Sequence, residues 1–375
     1  MERRGTHLKF FVELAPAFHA GYSHLVYMRI LENISLAEFT TLRLGGPARF
    51  FVSVTTVEEL REAVAYAHTN ALPILILGGG SNVLCVDEGW DGLVIRIAIT
   101  GRDYTENTCG DAQVIAFAGE VWDDLVRDSV EQGFWGLENM SYIPGTVGAT
   151  PVQNVGCYGV SVSDCIDWVE VYDMSTDRLH IFTGEDCAFG YRDSVFKRSR
   201  CSQYVVTRVA YRLFTSACPN IEYADLKEYF TDTAAAEITP AAVRAALKEI
   251  RGRKFPDLNE VGTAGSFFKN PVVSRTTLHD IETWIGEQVP AYPIDDEHVK
   301  IPLGWLLERF GWKGKCHGAV GCWPAQSLVL VQYGGATARE FILFAHEIMQ
   351  DVKRRTSLKI EPEVHIARSA QSDVE

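Results

Sequence analysis

The feature that most constrains this chain is a run of three glycines enclosed by apolar segments. Residues 74–84 read ILILGGGSNVL, which predicts a strand, a tight loop with a Ser-Asn pair, and a second strand. Three consecutive residues without a Cβ let backbone N–H groups approach a bulky anion, so the loop can form a nest for the diphosphate of a dinucleotide. A plain hairpin turn is the alternative, because the loop lacks the GxGxxG spacing and the Gly-Lys-Ser/Thr ending of diagnostic phosphate loops.

Composition and charge limit the classes of protein to which the chain can belong. Its 375 residues are 47% hydrophobic and 22% charged, which predicts a globular protein of two or three domains. A formal net charge of −14 argues against nucleic acid or an anionic membrane as the main partner. No run approaches the ~18 apolar residues of a membrane span. Nine cysteines without a CxxC pair or metal-site spacing predict reduced thiols in a cytoplasm and no metal centre.

Helices are predicted between the strand-like segments, as in an α+β fold. A capping box at residues 56–59 begins a helix over 57–68, which is expected to cover one face of a sheet. A second helix is expected over about 121–132. Its inward positions are Val121, Leu125 and Val130. Residues 166–214 predict further strands.

Two later helices begin at capping signals. Thr239 followed by Pro240 begins a helix that ends near Gly252. Its buried stripe is Val243, Leu247 and Ile250. A capping box at residues 337–340 begins the last helix. The positions expected to be buried there are Ile342, Ala345, Met349 and Val352.

A second glycine-rich stretch, residues 136–159, reads GLENMSYIPGTVGATPVQNVGCYG. A loop so long and so low in charge exposes apolar surface unless it folds against a flat, amphipathic partner. The isoalloxazine ring of a flavin, with one polar edge and two apolar faces, suits such a loop. A structural Ω-loop is the alternative.

Three further groups of residues are candidates for chemistry. Arg251, Arg253 and Lys254 end a predicted helix, where they either complement its dipole or supply the positive site that an anionic substrate needs. Ser266 has no neighbouring His and no GxSxG context, which favours a proton donor or a structural serine over a hydrolase nucleophile. Two carboxylates, at 361 and 363, are expected on one face of a strand, where one is a catalytic candidate and surface charge is the alternative.

Taken together, these motifs resemble the MurB family, the UDP-N-acetylenolpyruvoylglucosamine reductases, type I. The resemblance is carried, in the family's order, by residues 39–46, 77–84, 136–159, 189–194, 265–271 and 361–364. It implies an α+β fold: an FAD-binding fold of the vanillyl-alcohol-oxidase (PCMH) type in two subdomains, plus a C-terminal α+β substrate-binding domain. The implied limits are an extension of unknown role at 1–32, FAD-binding subdomains at 33–100 and 101–238, a substrate-binding domain at 239–358, and a strand carrying a catalytic Glu, with the tail, at 359–375.

The resemblance also implies an activity. NADPH reduces non-covalently bound FAD, which passes hydride to UDP-N-acetylglucosamine enolpyruvate and yields UDP-N-acetylmuramate for peptidoglycan synthesis. The implied enzyme is a cytoplasmic monomer with no nucleic-acid or membrane partner. A flavin oxidase of the same FAD fold acting on a different substrate is one alternative, and a non-enzymatic relative that binds the nucleotide sugar is another.

Site residues follow from the same resemblance. Arg192 and Glu363 are implied to surround the substrate carboxylate, and Ser266 to give a proton to carbon. The implied substrate contacts are Tyr223, Lys254, Asn270, Tyr158 and Gln326. The implied cofactor contacts are Leu77, Gly78, Gly79, Gly80, Ser81, Asn82, Val83, Leu84, Ile143, Pro144, Gly145, Val147, Gly148, Ala149, Thr150, Asn154, Gly156 and Arg251.

The sequence departs from the family pattern at a few positions. Cys157 replaces a small alanine and is expected to place an alkylation-sensitive thiol near the substrate path. Trp323 stands where histidine is frequent, and His365 where arginine is common. Residues 1–27 match nothing in the family, and Met28 is expected to be the biological start.

Overall fold

The computed structural model describes residues 28–106, 111–198 and 202–369. The expectations for the extension before Met28 concern residues 1–27, which lie outside these ranges. Within the described ranges, no helix combines the length and the apolar character needed to cross a membrane.

The first unit is a mixed sheet covered by one helix. Its elements are β1 (Leu31–Ser35), β2 (Pro47–Val54), α1 (Val57–Thr69), β3 (Ile74–Leu77), β4 (Val83–Cys85) and β5 (Trp90–Ile97). The sheet order is β1-β2-β5-β3, with β2 and β3 parallel to β5. Because β3 pairs with β5 and β4 pairs with the distant segment His365–Ala367, the glycine loop between them is not a hairpin turn, and that alternative is wrong.

Helix α1 begins as the sequence predicts. Thr56 accepts a hydrogen bond from the backbone of Glu59 at 3.1 Å, so the predicted cap is present. The Glu59 carboxylate turns back to the backbone N–H of Thr55 at 2.5 Å, one residue before the expected partner. The helix buries Leu60 and Val64 against the sheet.

The second unit is an antiparallel sheet in the order β11-β10-β12-β7-β6. Its strands are β6 (Arg102–Glu106), β7 (Asp111–Phe117), β10 (Ile166–Asp173), β11 (Arg178–Thr183) and β12 (Tyr204–Phe214). Helix α2 (Trp122–Glu131) follows β7 and begins at Trp122, so the inward position predicted for Val121 is wrong. Val121 is 49% exposed as the N-cap, whereas Trp122 is buried. Leu125 and Val130 are buried, as predicted.

The glycine-rich stretch 136–159 is less irregular than a single loop. It contains the short helix α3 (Ala149–Gln153) and the strand β8 (Gly156–Cys157), which pairs with β9 (Val160–Ser161). Helix α3 ends at Asn154, whose φ of 41° is left-handed. Thr150 of α3 contacts the second sheet, with its Oγ1 2.6 Å from the hydroxyl oxygen of Tyr211 in β12.

Helices α4 (Ala224–Tyr229) and α5 (Pro240–Lys254) follow that sheet. The buried stripe of α5 is the predicted one. Through this stripe α5 shares an apolar cluster with Trp135, which follows α2 in the chain, and with Leu226 of α4. The predicted domain limits place α5 in the substrate-binding domain, and those limits stay a prediction.

The C-terminal unit holds two small antiparallel sheets. Its strands are β13 (Gly262–Ser266), β14 (Val272–Ser274), β15 (Tyr292–Pro293), β16 (His298–Lys300), β17 (Cys316–His317), β18 (Val320–Trp323), β19 (Gln326–Gln332) and β20 (His365–Ala367). Its helices are α6 (Arg275–Ile285), α7 (Leu303–Arg309) and α8 (Ala338–Thr356). The sheet orders are β13-β19-β18-β17 and β14-β16-β15.

Helix α8 has the predicted capping box but presents a different face to the core. Its buried residues include Phe341, Phe344 and Ile348, whereas Ile342 and Met349 are only partly buried, so their predicted burial is wrong. The predicted burial of its other two positions, the alanine and the valine of the stripe, is confirmed. Ring contacts with Phe267 and Trp312 select this face.

The segment before β20 is not the strand that the sequence predicts. Residues 361–364 make an isolated bridge from Pro362 to Phe268, and strand pairing begins only at His365. The carboxylates at 361 and 363 differ in exposure. The side chain of Glu361 is 74% exposed, whereas that of Glu363 is 18% exposed.

Two apolar cores connect these units. The first is shared by the mixed sheet and the large antiparallel sheet, and the second fills the C-terminal unit. Leu42, Leu44 and Leu84 of the first unit belong to the second core. Backbone contacts join the same regions, since Thr263 N donates to Thr41 O at 3.0 Å. The N-terminal segment and the glycine loop are thereby fixed to the C-terminal unit.

Candidate active site

A cavity opens where the glycine loop, the 136–159 stretch, α5, β13 and the chain before β20 meet. Residues of every unit line it, including Asn82, Thr146, Arg192, Ser266 and Glu363. Residues far apart in the chain thus surround one space.

One wall consists of two loops packed closely together. Ser81 Oγ donates to Pro144 O at 2.9 Å. Gly80 has a φ of +64°, and a Cβ on it would lie 1.9 Å from the carbonyl oxygen of Phe39. Gly145 has a φ of +130°, and a Cβ on it would lie 2.8 Å from Ser81 Oγ. Because side chains are excluded here, backbone groups of both loops are within reach of a ligand.

A buried polar atom on this wall fits a missing hydrogen-bonding ligand. Thr146 Oγ1 is buried and makes no hydrogen bond to any described residue. A Cβ on Gly78 would lie 2.6 Å from this atom, so the glycine leaves room beside it. Buried hydroxyls are normally hydrogen-bonded. The close glycine loops and the unpaired hydroxyl fit an FAD molecule, whose diphosphate and ring supply acceptors.

Arg192 is held rigidly at another wall. Its φ of 52° is left-handed, which is unusual for a residue with a side chain. Its Nε lies 2.9 Å from Glu363 Oε1, its Nη1 donates to Asn154 O at 3.3 Å, and its Nη2 donates to Gly156 O. All three nitrogens are therefore engaged, and the guanidinium has one orientation.

Glu363 is a buried carboxyl beside this cation. Burial raises its pKa above the ordinary value, opposed by the positive charges of Arg192, Lys197 and Lys269. Its backbone is fixed, because Glu363 N donates to Phe267 O at 2.8 Å and Asn82 Nδ2 donates to its carbonyl at 3.3 Å. The ion pair with Arg192 thus offsets part of the cost of burying this carboxyl.

Ser266 ends β13 at an irregularity in the sheet. The register between β13 and β19 shifts between Thr263 and Ser266, and Gly265 has a φ of +74°. Such a bulge redirects a side chain. The chain that follows runs beside residues 361–363 through the bonds from Glu363 N to Phe267 O and from Lys269 N to Glu361 O. Ser266 and Glu363 thus line the cavity from adjacent segments.

Tyr158 forms a hydrogen bond with Arg251 at the cavity wall. Burial raises the pKa of Tyr158 to about 12, against the positive charge and hydrogen bond of Arg251. Arg251 itself lines the cavity and packs over Phe255 at 4.6 Å from the ring centre. Cys157 also lines the cavity, and burial raises the pKa of its thiol to about 11.

The other two cations at the end of α5 lie outside the cavity wall. Lys254 Nζ contacts Asp225 Oδ2 at 2.5 Å, and Arg253 pairs with Glu249 at 3.3 Å. Tyr223, the N-cap of α4, is 43% exposed and meets Tyr158 edge-on at 5.3 Å between ring centres. The three cations that the sequence places together at the end of α5 therefore have three different sets of neighbours.

The remaining implied substrate contacts lie on the C-terminal unit. Asn270 lines the cavity and accepts a hydrogen bond from Leu303 N at 2.9 Å. Gln326 begins β19 and accepts from Leu328 N at 3.3 Å, outside the lining residues described here.

The implied cofactor residues fall into three groups. Half of them line the cavity: Ser81, Asn82, Ile143, Pro144, Gly145, Ala149, Thr150, Gly156 and Arg251. The side chains of Leu77, Val83, Leu84 and Val147 are buried in the apolar cores, which leaves only their backbones for a ligand. Gly78, Gly79, Gly80, Gly148 and Asn154 shape the loops without lining the cavity.

Some of the lining residues had no role predicted from the sequence. Thr146 and Gln153 lie inside the glycine-rich stretch, and Tyr191 precedes Arg192, so position within a motif was a usable signal. Phe255 and Leu328 lie outside every motif and became part of the wall only through folding.

Models of known families match two parts of the chain. Residues 48–181 match an FAD binding domain. Residues 257–367 match the C-terminal domain of UDP-N-acetylenolpyruvoylglucosamine reductase. The first segment contains both loops of the cofactor wall, and the second contains Ser266 and Glu363.

Whole-chain relatives agree with these matches. The chain is 38% identical to UDP-N-acetylenolpyruvoylglucosamine reductase of Pseudomonas syringae pv. syringae over 342 residues, 90% of this chain and 99% of the relative. It is 39% identical to the reductase of Pseudomonas putida over 335 residues, 89% of this chain and 98% of the relative. The crystal structure of the Thermus caldophilus reductase (MurB) superposes with a TM-score of 0.64 at 25% identity, covering 91% of this chain and 100% of that one. The predicted fold class is confirmed.

Proposed function

The chain belongs to the UDP-N-acetylenolpyruvoylglucosamine reductase family, and on this premise we propose that the cavity of Arg192, Ser266 and Glu363 is its active site. The protein reduces UDP-N-acetylglucosamine enolpyruvate to UDP-N-acetylmuramate in peptidoglycan synthesis, with FAD as cofactor and NADPH as reductant. The observation that supports the site is the partly buried ion pair between Arg192 and Glu363, 2.9 Å apart, in a cavity bounded by the two glycine loops.

The glycine loop and the 143–150 loop hold the cofactor in this proposal. Thr146 Oγ1, which is buried and unpaired among the described residues, would make a hydrogen bond to FAD. Arg251 would approach the FAD from α5. When bound there, FAD would supply the hydride chemistry that connects NADPH to the terminal carbon of the enolpyruvyl group. A cation near the flavin favours its reduced form.

Arg192 and Glu363 bind and polarise the substrate carboxylate. Two adjacent carboxylates would repel, and the positive charge of Arg192, whose Nε lies 2.9 Å from Glu363 Oε1, offsets this repulsion. The guanidinium of Arg192 supplies positive charge where an enolate-like charge develops. Because its three nitrogens already hold partners, this charge needs little reorientation during the reaction.

Ser266 gives the proton that balances the hydride. The substrate gains hydride at the terminal carbon and a proton at the neighbouring carbon, so one double bond is reduced for each NADPH oxidised. A serine hydroxyl is a weak acid, so the site must place it close to a basic carbon. The bulge in β13, which turns Ser266 towards the cavity, supports this role.

The nucleotide end of the substrate lies towards α4 in this proposal. Tyr223 closes over the diphosphate, and Lys254 exchanges part of its contact with Asp225 for the phosphate charge. Asn270, Tyr158 and Gln326 complete the substrate contacts. We also propose the domain limits implied by the sequence and a cytoplasmic location. We propose further that the protein is a monomer, and sedimentation at several protein concentrations tests this.

Separate measurement of the two half-reactions tests the site. We expect Arg192→Ala and Glu363→Gln to slow reoxidation of the reduced enzyme by the enolpyruvyl substrate by about 100-fold or more, while reduction by NADPH changes by less than about threefold. Arg198→Ala, at an exposed arginine that pairs with Asp193 at 3.7 Å, is the matched control. Unchanged reoxidation in both variants would remove the pair from the site.

A further inference from the structure

We propose that Lys197 is a positioning residue that fixes the active conformation of Arg192. The inference rests on the proposed function, because it concerns the residue that binds the substrate carboxylate. Lys197 ends a short 3₁₀ turn, Val195–Lys197, and no motif-based role was assigned to it from the sequence. Lys197 is not among the described residues that line the cavity.

The contacts of the ammonium group connect two walls of the cavity. Lys197 Nζ donates to the carbonyl oxygen of Arg192 at 2.9 Å and to Gln153 Oε1 at 2.7 Å. Gln153 ends α3 in the cofactor stretch and lines the cavity. One side chain thus ties the backbone of the arginine to the turn beside the cofactor.

The same turn also receives the arginine side chain. Arg192 Nη1 donates to Asn154 O and Nη2 to Gly156 O, directly after Gln153. The turn at 153–156 is therefore bound by the guanidinium and through Lys197, besides the bond from Asn154 Nδ2 to Gly190 O at 2.8 Å. Loss of the lysine would leave Arg192 itself bound to this turn only by its side chain.

The backbone of Arg192 requires such support. Its φ of 52° lies in the left-handed region, which a residue with a Cβ occupies only when its surroundings enforce it. Lys197 bonds the carbonyl of that same residue. Relaxation to an ordinary φ would rotate this carbonyl and swing the guanidinium away from Glu363.

The electrostatic surroundings argue against Lys197 as an ordinary surface charge. The charged groups facing it are Lys269, Glu363, Asp193 and Arg192, of which two are cations. Burial, and then the charge of Lys269, lower the pKa of Lys197. A half-buried cation next to other cations is unfavourable unless its hydrogen bonds compensate for it. The two bonds to Arg192 and Gln153 provide that compensation.

The first test compares the half-reactions of Lys197→Met, which keeps the length of the side chain and removes its charge and donors. We expect reoxidation by the enolpyruvyl substrate to slow by about 10- to 100-fold, as for a small displacement of a catalytic group. Reduction by NADPH should change by less than about threefold. Lys313→Met, at a lysine paired with Glu308 at 2.8 Å, is the matched control and should match the wild type in both steps.

A conservative variant guards against a folding defect. Lys197→Arg retains a buried cation and donors, and we expect it to recover part of the lost reoxidation rate. An equal loss in both half-reactions, or no loss in either variant, would contradict the proposal. If the Lys197→Met protein fails to retain FAD, Lys197→Arg becomes the deciding variant. The proposal then requires that its rate of reoxidation fall by about threefold or more relative to the wild type.

A double-variant cycle identifies the route of the effect. If Lys197 acts through Arg192, adding Lys197→Met to Arg192→Ala should slow reoxidation by less than about twofold further. A full additional loss would show an independent role and overturn the inference. An Arg192→Ala enzyme with normal reoxidation would instead contradict the proposed function, so the two failures are distinguishable.

Discussion

At the scale of single residues, Ser266 lies where a substitution should affect only one of the two half-reactions. It ends β13 at a bulge and lines the cavity beside Glu363, on the face proposed for the substrate. We expect Ser266→Ala to slow reoxidation by the enolpyruvyl substrate about 10³-fold, because only that step needs a proton on carbon. Reduction by NADPH should stay within about twofold of the wild type, as measured by anaerobic stopped flow.

A matched serine provides the control for that variant. Ser274 caps α6 by accepting from Thr277 N at 3.1 Å, away from the cavity lining. Ser274→Ala should cost about 1 kcal/mol of stability through the lost cap and leave both half-reactions unchanged. Equal loss of both half-reactions in Ser266→Ala would rule out its role as the proton donor.

Cys157 shows how the surroundings of a residue change its chemistry. The sequence predicts an alkylation-sensitive thiol, and the structure does place it on the cavity wall. Burial, however, raises its pKa to about 11, so roughly one molecule in 10³ to 10⁴ carries the reactive thiolate near neutral pH. We expect iodoacetamide to modify the exposed Cys316 well before Cys157.

The pH dependence of that modification has a definite sign. Because the pKa of Cys157 is raised, its thiolate fraction grows about tenfold for each pH unit up to about pH 10. Peptide mass spectrometry of samples labelled between pH 7 and pH 10 measures both rates. Rapid modification of Cys157 at pH 7, with loss of activity, would restore the sequence-based expectation.

Residue roles were predictable where a motif carried them and otherwise were not. Arg192 was assigned through the family resemblance and Ser266 through its local context and the same resemblance, and the structure brings both to one cavity. Thr146 and Lys197 received no role, because their importance lies in what they face: a space beside Gly78 and the carbonyl of Arg192. Such partners are set by folding and have no local sequence signal.

At the scale of elements, α2, α5 and the cofactor stretch are joined by one buried ion pair. Arg244 of α5 makes two bonds to Asp123 of α2, at 2.6 and 2.8 Å. Asp123 also accepts from the backbone N–H of Tyr142 at 2.5 Å, and Arg244 lies 4.2 Å from the centre of the Tyr142 ring. Tyr142 has a φ of 61° and precedes the cofactor loop, so this pair fixes the start of that loop.

Removal of this pair should lower stability in a pH-dependent way. Arg244→Met leaves Asp123 without its main partner, and we expect a loss of about 2 kcal/mol in unfolding free energy at pH 7. Burial acts to raise the pKa of Asp123, but the bonds from Arg244 and Tyr142 lower it below its ordinary value of 3.8. The stabilisation is thus present above pH ~4 and is lost as pH falls below it.

Urea unfolding of wild type and Arg244→Met at several pH values measures this difference. The gap between the two proteins should narrow as the pH falls below about 4. Arg253→Met, at the exposed i,i+4 pair with Glu249 on the same helix, should change stability by less than about 0.5 kcal/mol. A gap that is constant with pH would exclude the ion pair as its cause.

Element limits were predicted better than element faces. Capping residues Thr56, Thr239 and Thr337 all cap helices as the sequence indicates. The buried face of α8 was misjudged, since a 3.6-residue period fits both the predicted face and the observed one. The choice depends on Phe267 and Trp312, whose positions relative to α8 are fixed only by the fold.

At the scale of the whole molecule, the site depends on contacts between distant parts of the chain. Asn82 Nδ2 reaches the carbonyl of Glu363 at 3.3 Å, and β20 lies parallel to β4 beside the glycine loop. No local pattern encodes these pairings. The sequence predicted the motifs and the fold class through resemblance, but not how the segments at 82 and 363 meet.

FAD should therefore stabilise the whole protein. A ligand that binds only the folded state adds about 2.7 kcal/mol at a free concentration 100 times its Kd. We expect the Tm of the FAD-depleted protein to rise on addition of FAD. Gly145→Ala should weaken that rise, because its Cβ would lie 2.8 Å from Ser81 Oγ at a φ of +130°.

A thermal denaturation series with increasing FAD measures both proteins. Gly133→Ala is the matched control, since its φ is also positive, at +83°, and nothing lies within 4 Å of an added Cβ. It should lose stability through backbone strain but keep the full response to FAD. An equal response to FAD in Gly145→Ala would remove this loop from the cofactor site.

The most direct test of the central assignment is the visible spectrum of the purified, FAD-containing protein under anaerobic conditions. NADPH should bleach the flavin bands, and UDP-N-acetylglucosamine enolpyruvate, added next without air, should restore them in equal molar amount. Flavin that stays bleached until oxygen is admitted would contradict the reductase assignment and favour an oxidase.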